Sequence, residues 1–379
     1  MTSSKNIPVF KPFLDDSEQA AAKNVLDIGW LGMGKNVSLF ESRLDQMLCL
    51  HDVQRRSVAV STGHAALHIA LLLIDIKPGD EVITPSFNNI ADFQAILACG
   101  GKPVFCDVRD DTLCIDIEKA ECLINKNTKA LIVTDYGSQL CEHEKIQALA
   151  KKYNIRVIHD AAHSFGSKYK GQYVGRFSDI TMFSFDPVKS ITCIDGGALI
   201  LNSEREVQEA HEIRLVGMTQ PASTMYENKR AWTYDVARLG FRYHMANMHA
   251  AIGVAQLDKF EIIKFTRNET CLFYNNALKD ISSIKLQQWI EKDVLPFMYY
   301  IRVDKSVRDS LRNHLFNVGV DNGIHWQPGH WFKLLKNCDT GDLSVTNKIA
   351  EEIITLPLHS GMSIADKTKV IESIKTFYK

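Results

Sequence analysis

The sequence lacks any long apolar run. Nowhere in its 379 residues do about 18–20 consecutive apolar residues occur, which is the length needed to cross a bilayer. The start, MTSSKNIPVF, has no apolar core of the kind found in signal peptides. We therefore expect a soluble, cytoplasmic protein without a membrane segment.

Basic stretches and cysteine motifs are also missing. The 44 Lys and Arg residues are interspersed with 45 Asp and Glu residues, so no nucleic-acid surface is predicted. The nine cysteines show neither CxxC spacing nor the Cys/His spacing of zinc sites. We interpret them as reduced thiols, as is usual inside cells.

What the sequence does contain is an alternation of strands and helices between about residues 57 and 202. The apolar runs that predict buried strands are EVITPSF (81–87), KPVFCDV (102–108), KALIVTDY (129–136), RVIHDAA (156–162), DITMFSF (179–185) and GALILN (197–202). Helical patterns over 65–76 and 143–154 lie between some of them. This pattern predicts an α/β fold with a mostly parallel sheet that is covered by helices on both faces.

The alternation ends after about residue 203. Residues 248–278 have the periodicity of one long helix, and FMYYIRV (297–303) predicts a strand. We therefore predict a large domain over residues 1–255 and a smaller α+β domain over residues 256–379.

Four loops of the predicted sheet carry polar residues. In parallel sheets, ligands bind beyond the carboxyl ends of the strands. We therefore expect a site at the edge formed by the loops Thr62–His64, Pro85–Asn89, Asp160–His163 and Ser184–Lys189.

Taken singly, these residues have ordinary interpretations as well as functional ones. Thr62 and Gly63 either simply begin a helix or bind an anion there. Asp160 either caps a helix or holds a cationic nitrogen, because a buried carboxylate needs a partner. His163 is compatible with a core position. Lys189 either extends into solvent or, among apolar neighbours, loses its proton and becomes a nucleophile.

Taken together, the loops favour a site for pyridoxal 5′-phosphate (PLP). The helix N-terminus and Ser184 suit the phosphate, and Asp160 suits the pyridinium nitrogen. Lys189 suits the aldehyde, with which an amine forms a Schiff base.

Several segments resemble the DegT/DnrJ/EryC1/StrS sugar aminotransferases, a family of fold-type-I PLP enzymes. The motifs are GDEVITPSF (79–87), GKPVFCDV (101–108), HDAAHSFGSKYKG (159–171), SFDPVKSITCIDGGA (184–198), MHAAIGVAQLDKF (248–260), GIHWQPGH (323–330) and LPLHSGM (356–362). The resemblance implies that Lys189 forms the Schiff base and acts in catalysis with Asp160, the partner of the ring nitrogen. The cofactor-binding residues that it implies besides these two are Gly63, His64, His163 and Ser184.

The resemblance also implies substrates and partners. Enzymes of the family are homodimers with shared active sites, and most aminate nucleotide-linked keto sugars with glutamate as donor. An enzyme of lipopolysaccharide, other surface-polysaccharide or antibiotic-sugar synthesis is therefore expected. The alternatives are an aminotransferase for a free sugar acid or aldehyde, such as an oxidised 3-deoxy-octulosonate, a sugar dehydratase, or a non-enzymatic relative. Lys189 argues against the dehydratases, which have histidine there.

Some positions depart from the family pattern. His64 follows Gly63 where threonine is usual, and Asn89 occupies the position of an aromatic residue that stacks on the cofactor. Asp186 replaces a histidine. Arg242 aligns with an asparagine that reaches the partner's phosphate, so we include it and Asn89 among the cofactor-binding candidates. We hypothesise that His64 and Arg242 make the phosphate site more basic; pairing of Arg242 with an acid elsewhere is the alternative.

Substrate-binding candidates follow from alignment with regions that handle the sugar or nucleotide in relatives. They are Lys35, Tyr136, His325, Trp326 and His330. Core packing is the alternative interpretation of each aromatic residue. Because no acidic residue at ligand spacing accompanies the two histidines, we predict no metal site.

Overall fold

The computed structural model describes residues 6–220, 222–229, 232–288 and 293–379. Within these ranges the strands are β1 (Arg56–Val60), β2 (Glu81–Pro85), β3 (Lys102–Cys106), β4 (Thr128–Thr134), β5 (Arg156–Asp160), β6 (Lys168–Tyr169), β7 (Gln172–Tyr173), β8 (Ile180–Ser184), β9 (Gly197–Leu201), β10 (Ile284–Leu286), β11 (Tyr299–Val303) and β12 (Ile353–Leu356). The helices are α1 (Asp16–Ile28), α2 (Lys35–Met47), α3 (Gly63–Leu73), α4 (Ile90–Ala98), α5 (Ile117–Leu123), α6 (His143–Tyr153), α7 (Glu204–Arg214), α8 (Ala222–Tyr226), α9 (Asn247–Asp258), α10 (Phe260–Leu278), α11 (Lys305–Asn317), α12 (Ser344–Glu352) and α13 (Ile364–Phe377).

A seven-stranded sheet in the order β1-β9-β8-β5-β4-β2-β3 forms the centre of the molecule. Neighbouring strands from β8 to β3 are parallel, whereas β9 runs antiparallel to both β8 and β1. Each apolar run predicted as a strand forms one, so the α/β fold with a mostly parallel sheet is confirmed. β1 was not among the predicted runs.

The two faces of the sheet pack against different helices. In β4, Ile132 belongs to the core under α3, α4 and α7, whereas Leu131 and Val133 belong to the core beside α5 and α6. Ile158 and Met182 in the neighbouring strands also face α3. Because side chains alternate along a strand, the next residues with the same orientation lie at the carboxyl ends. These residues are Thr134, Asp160 and Ser184.

The C-terminal part contains a three-stranded antiparallel sheet in the order β10-β11-β12. It shares a core with α10, α11 and α13. The first described residues join this layer, since the Ile7 N–H donates to the Gly319 carbonyl at 3.0 Å and the Leu358 N–H to the Val9 carbonyl at 2.9 Å. The predicted division at residues 255 and 256 remains a prediction.

The single helix predicted over 248–278 is wrong, because α9 ends at Asp258 and α10 begins at Phe260. Lys259 lies between them with φ −96° and ψ 7°. Its Nζ is held by the Phe13 carbonyl at 3.1 Å and by Asp15 at 3.3 Å, while the Phe260 ring enters the core. Among the described residues, no helix combines the length and the apolar character that crossing a bilayer requires.

Candidate active site

The four predicted loops meet around a cavity of about 500 Å³ at the carboxyl edge of the sheet. All the predicted cofactor-binding residues except Arg242 contribute to its wall. They are Gly63, His64, Asn89, Asp160, His163, Ser184 and Lys189. Of the substrate-binding candidates, Trp326 also lies in this wall.

Lys189 extends into the cavity from the loop after β8. Its backbone N–H donates to the Asp186 carbonyl at 3.0 Å, and its Nζ lies 4.4 Å from the centroid of the Phe297 ring. Burial lowers the pKa of the amine from 10.5 to about 8, although the Asp160 and Asp186 carboxylates oppose this shift. Roughly a tenth of the amine is therefore neutral at pH 7, far more than for an ordinary lysine.

Asp160 ends β5 with only 5% of its surface exposed. Its Oδ1 accepts the Ala162 N–H at 3.0 Å, and its Oδ2 accepts the Thr134 hydroxyl at 3.3 Å. Burial raises the pKa of Asp160, while the Ala162 N–H and the Lys189 charge act in the opposite direction. A cation against this carboxyl group would offset the cost of burying its charge.

His163 is buried beside the cavity as a neutral ring. It stacks on Phe297 with ring centroids 4.4 Å apart and an interplanar angle of 18°. Its Nδ1 accepts the Gly137 N–H at 3.3 Å, which leaves the ring proton on Nε2. Burial, together with the charges of Lys189 and His325, holds the pKa of His163 well below its usual range.

The start of α3 lies against the end of β8. Gly63 follows the N-cap Thr62, whose hydroxyl accepts the Ala65 N–H at 2.9 Å. A Cβ at position 63 would lie 2.7 Å from Ser184 Cβ and 2.9 Å from its Oγ. Glycine thus lets a helix N-terminus approach a hydroxyl group, an arrangement that suits an anion.

Asn89 and His64 line the cavity near this helix start. Asn89 is the N-cap of α4, and its Oδ1 accepts the Ala91 N–H at 2.9 Å. Partial desolvation lowers the pKa of the exposed His64 imidazole, which favours a hydrogen-bonding role over that of a fixed charge.

Arg242 and Lys35 lie outside the wall of this cavity. Arg242 lines a second cavity of about 490 Å³, together with Trp30 and His244. Lys35 is exposed at the start of α2, where its backbone N–H donates to Asn228 Oδ1 at 3.1 Å. The structure therefore does not bring these two predicted residues to Lys189 of the same chain.

The remaining substrate-binding candidates, Tyr136, His325 and His330, do not belong to the described wall of the cavity. Tyr136 is buried 6.2 Å from His163, between ring centroids, and its hydroxyl has no hydrogen-bond partner among the described residues. His325 packs against Trp326 at 4.7 Å, and burial together with the Lys189 charge lowers its pKa to about 4. His330 binds Ser86 at 2.8 Å and Asn347 at 3.0 Å, so both its nitrogens are engaged.

Sequence reasoning missed several residues of the site. Asp92 and Asp195 lie in the wall outside the predicted loops, and Asn88 and Asp186 lie in predicted loops but were not named as site residues. The four-residue spacing of Asn88 and Asp92 at a helix start could have indicated that they meet. No local signal points to Phe297, because it reaches Lys189 from a distant part of the chain.

A buried cluster with metal-ligating residue types lies on the other face of the sheet. One ligand atom each of Asp135, His143 and His159 lies within 4.8 Å of the others. The two imidazole Nε2 atoms bond to Asp135 at 3.0 and 2.7 Å, and the Ser164 hydroxyl donates to it at 2.7 Å. These hydrogen bonds join Asp135, the residue after β4, to β5 and to the start of α6.

Comparison with known proteins agrees with this geometry. A sequence model of the DegT/DnrJ/EryC1/StrS aminotransferase family matches residues 12–375. The aminotransferase TlmJ from Streptoalloteichus hindustanus is 28% identical, with a TM-score of 0.89 over 98% of each chain. Spr1654 from Streptococcus pneumoniae, assigned as a sugar aminotransferase, is 26% identical, and its PLP form has a TM-score of 0.87 over 98% of each chain.

A more distant relative shares the fold. PseC from Helicobacter pylori, an aminotransferase involved in the biosynthesis of pseudoaminic acid, is 24% identical. Its TM-score is 0.90 over 98% of this chain and 99% of its own.

Proposed function

Because the chain belongs to the DegT/DnrJ/EryC1/StrS aminotransferase family, we propose that it transfers an amino group to the carbonyl carbon of a sugar, with glutamate as donor. As an aminotransferase of this family it uses PLP, the cofactor of the PLP form of Spr1654. The observation that carries the proposal is the position of Lys189 and Asp160 in the wall of one cavity.

The residues of this cavity fit the cofactor. The N-terminus of α3 and the Ser184 hydroxyl enclose a space that is open because residue 63 is glycine, since a Cβ there would contact Ser184. These two groups would hold the phosphate. The buried Asp160 carboxyl group would hold the ring nitrogen, and the Lys189 amine would bind the aldehyde.

Each residue has a distinct task in this proposal. When bound, the cofactor supplies an aldehyde that accepts the amino group and a ring that takes up electron density from the reacting carbon. Lys189 would take a proton from the donor Cα and deliver it to the carbon of the cofactor aldehyde, and in the opposite half of the reaction it would move a proton from that carbon to the sugar carbon. Asp160 would keep a proton at the ring nitrogen, and the neutral His163 would add a flat surface without a competing charge.

The second cavity supports a sugar as substrate. Its wall includes the aromatic rings of Trp30 and Tyr234, which suit stacking on a sugar or a base. We propose a nucleotide-linked keto sugar for lipopolysaccharide or other surface-polysaccharide synthesis. A free sugar acid or aldehyde is the second candidate.

We further propose a homodimer in which each site takes a cation from the partner. The acidic residues in the wall of the first cavity are Asp92, Asp160, Asp186 and Asp195. Lys189 is the only lysine or arginine that the described residues contribute there, so a phosphate dianion needs another cation. Arg242 lies near an exposed apolar surface that includes Trp232, 88% exposed, and Leu239, 78% exposed. Such a surface suits burial by a second copy.

The cysteines support a reducing location. All nine are free thiols, and several are buried in the core. Because structural disulfides are rare in the cytoplasm, we propose that the reaction takes place there.

An assay of sugar amination tests the proposed function. The wild-type chain and Lys189→Ala are incubated with glutamate, PLP and a panel of nucleotide-linked keto sugars, free keto sugars and sugar acids, and amino-sugar products are identified by mass spectrometry. We expect one sugar class to be aminated by the wild type and none by the variant, because the variant lacks the amine that moves the proton.

The absorbance spectrum of the cofactor provides the control. Lys189→Ala should bind PLP without the band of the lysine-linked form, while the groups proposed for the phosphate and the ring nitrogen remain. Turnover by Lys189→Ala at the wild-type rate would contradict the role of the lysine. Amination of no sugar by a wild type that aminates simple keto acids would contradict the substrate class.

A further inference from the structure

A series of hydrogen-bonded side chains leads from the start of α4 to Asp160. Asn88 and Asp92 are both 1% exposed. Asn88 Nδ2 donates to Asp92 Oδ2 at 2.6 Å and to Thr134 Oγ1 at 2.7 Å, and the Thr134 hydroxyl donates to Asp160 Oδ2 at 3.3 Å. Both amide hydrogens of Asn88 are thus used, and the Thr134 proton is left for Asp160.

Two oxygens in this series lack a hydrogen-bond partner among the described residues. They are Asn88 Oδ1 and Asp92 Oδ1, and both are buried. A buried acceptor without a donor is costly, and an ionised Asp92 would in addition face the like charge of Asp160. A hydroxyl at Asp92 Oδ1 would remove the like charge, and by donating to Asn88 Oδ1 beside the observed bond from Asn88 Nδ2 to Asp92 Oδ2 it would complete an acid–amide pair.

We propose that Asp92 is a positioning residue that carries a proton at Oδ1. Its pair with Asn88 then directs the Thr134 hydroxyl towards Asp160 and leaves Asp160 as the ionised carboxyl group at the cofactor. This inference rests on the proposed function, since the ring nitrogen of the cofactor is what the Asp160 anion would hold.

The surrounding charges favour a protonated Asp92 beside an ionised Asp160. Burial and the Asp160 charge raise the pKa of Asp92 well above its usual range. Burial raises the pKa of Asp160 as well, but the Ala162 N–H, the Lys189 charge and the Thr134 hydroxyl favour its ionised form, whereas for Asp92 the Asp160 charge acts in the same direction as burial. The other ionisable groups in the wall are His64, His163, Asp186 and Asp195.

Infrared difference spectroscopy on the full-length holoenzyme tests the protonation state. The spectrum of Asp92→Asn is subtracted from that of the wild type at pH 7, with aspartate carboxyl carbons labelled with ¹³C to identify their bands. We expect the difference to contain the C=O stretching band of a protonated carboxyl group. The matched variant Asp160→Asn should instead remove carboxylate bands.

Carboxylate bands in the wild-type minus Asp92→Asn difference would overturn the proposal. Should a variant fail to fold, a ¹³C NMR titration of the labelled wild-type holoenzyme gives the same information without a substitution. At pH 7 we expect one carboxyl resonance at the chemical shift of a protonated group. If no such resonance is present, the proposal of a protonated Asp92 is overturned.

The pH dependence of the cofactor absorbance tests the positioning role. Asp92→Ala frees the Asn88 amide, so Thr134 no longer has a fixed direction, Asp160 binds protons more readily, and the ring nitrogen should lose its proton at lower pH. Asp92→Asn forms an amide–amide pair of the same shape with Asn88 and should restore the wild-type titration.

A titration of Asp92→Asn that is shifted as far as that of Asp92→Ala would overturn the positioning role. These readouts do not involve turnover. A negative result therefore leaves the sugar-amination assay unaffected, and a chain that fails to aminate sugars can still show a protonated Asp92.

Discussion

The half-buried Lys189 places its amine beside the Phe297 ring and near acidic groups, and this environment sets its pH dependence. Its pKa of about 8 lies below the ordinary value of 10.5 because burial disfavours the cation. Only the neutral amine attacks an aldehyde. We therefore predict that the rate at which the apoprotein captures PLP rises with pH to a midpoint near 8, as measured by stopped-flow absorbance.

The apoprotein of Lys189→Ala is the control for this measurement, because it reports only the reaction of surface lysines with PLP. The rate attributable to Lys189 is the difference between the two proteins. A midpoint near the ordinary lysine value would contradict the effect of burial.

Individual residues of the site differ in how far the sequence could predict them. Asp160 and Ser184 end strands and Lys189 follows one, and the carboxyl ends of parallel strands meet at one edge. Their common position was therefore predictable from chain order. Phe297 was not, because its contact with Lys189 depends on how a distant segment packs. The separation of Arg242 from Lys189 in one chain likewise depends on tertiary structure.

At the scale of elements, the start of α4 depends on Asn89. Its Oδ1 accepts the Ala91 N–H at 2.9 Å, which satisfies one of the free donors of the helix start. We predict that Asn89→Ala lowers the free energy of unfolding of the apoprotein by about 1 kcal/mol, measured by urea denaturation.

Asn89→Ser is the matched control, since serine also caps helices and should keep most of this stability. Equal losses for the two variants would show that the cap contributes little. Asn89 would then remain as a candidate for contact with the cofactor.

The limits of sequence prediction are also visible at this scale. Apolar runs located the buried strands because strands covered on both faces are apolar throughout. The break between α9 and α10 was not predictable from periodicity, because an apolar stripe continues through it. At the break, Lys259 contacts Phe13 and Asp15, which are far away in the sequence, so no local pattern reports these contacts.

At the scale of the whole molecule, the proposed sharing of sites predicts complementation between inactive chains. Lys189→Ala and Arg242→Ala are each expected to lose sugar amination. In a mixed dimer, one site would combine both substitutions, while the other would have its native lysine and its native arginine. Mixing the two proteins after reversible dissociation should therefore restore activity.

Mixtures of each variant with itself, treated in the same way, are the control. If Arg242 acted in the site of its own chain, each site of the mixed dimer would carry one substitution and no activity would return. Full activity of Arg242→Ala alone would contradict the proposal that Arg242 acts in the active site of the partner.

The reversed strand β9 constrains how this enzyme can change. Ser184 pairs with Gly197 in the β8–β9 ladder, so the segment that carries Lys189 is closed at both ends by one hairpin. Within it, the Phe185 N–H donates to the Gly196 carbonyl at 2.8 Å, and the Cys193 N–H to the Phe185 carbonyl at 2.9 Å. Insertions or deletions between Ser184 and Gly197 would move the Lys189 amine relative to the Ser184 hydroxyl group. Diversification of substrate use is therefore expected in the surrounding loops, while the length of this hairpin stays fixed.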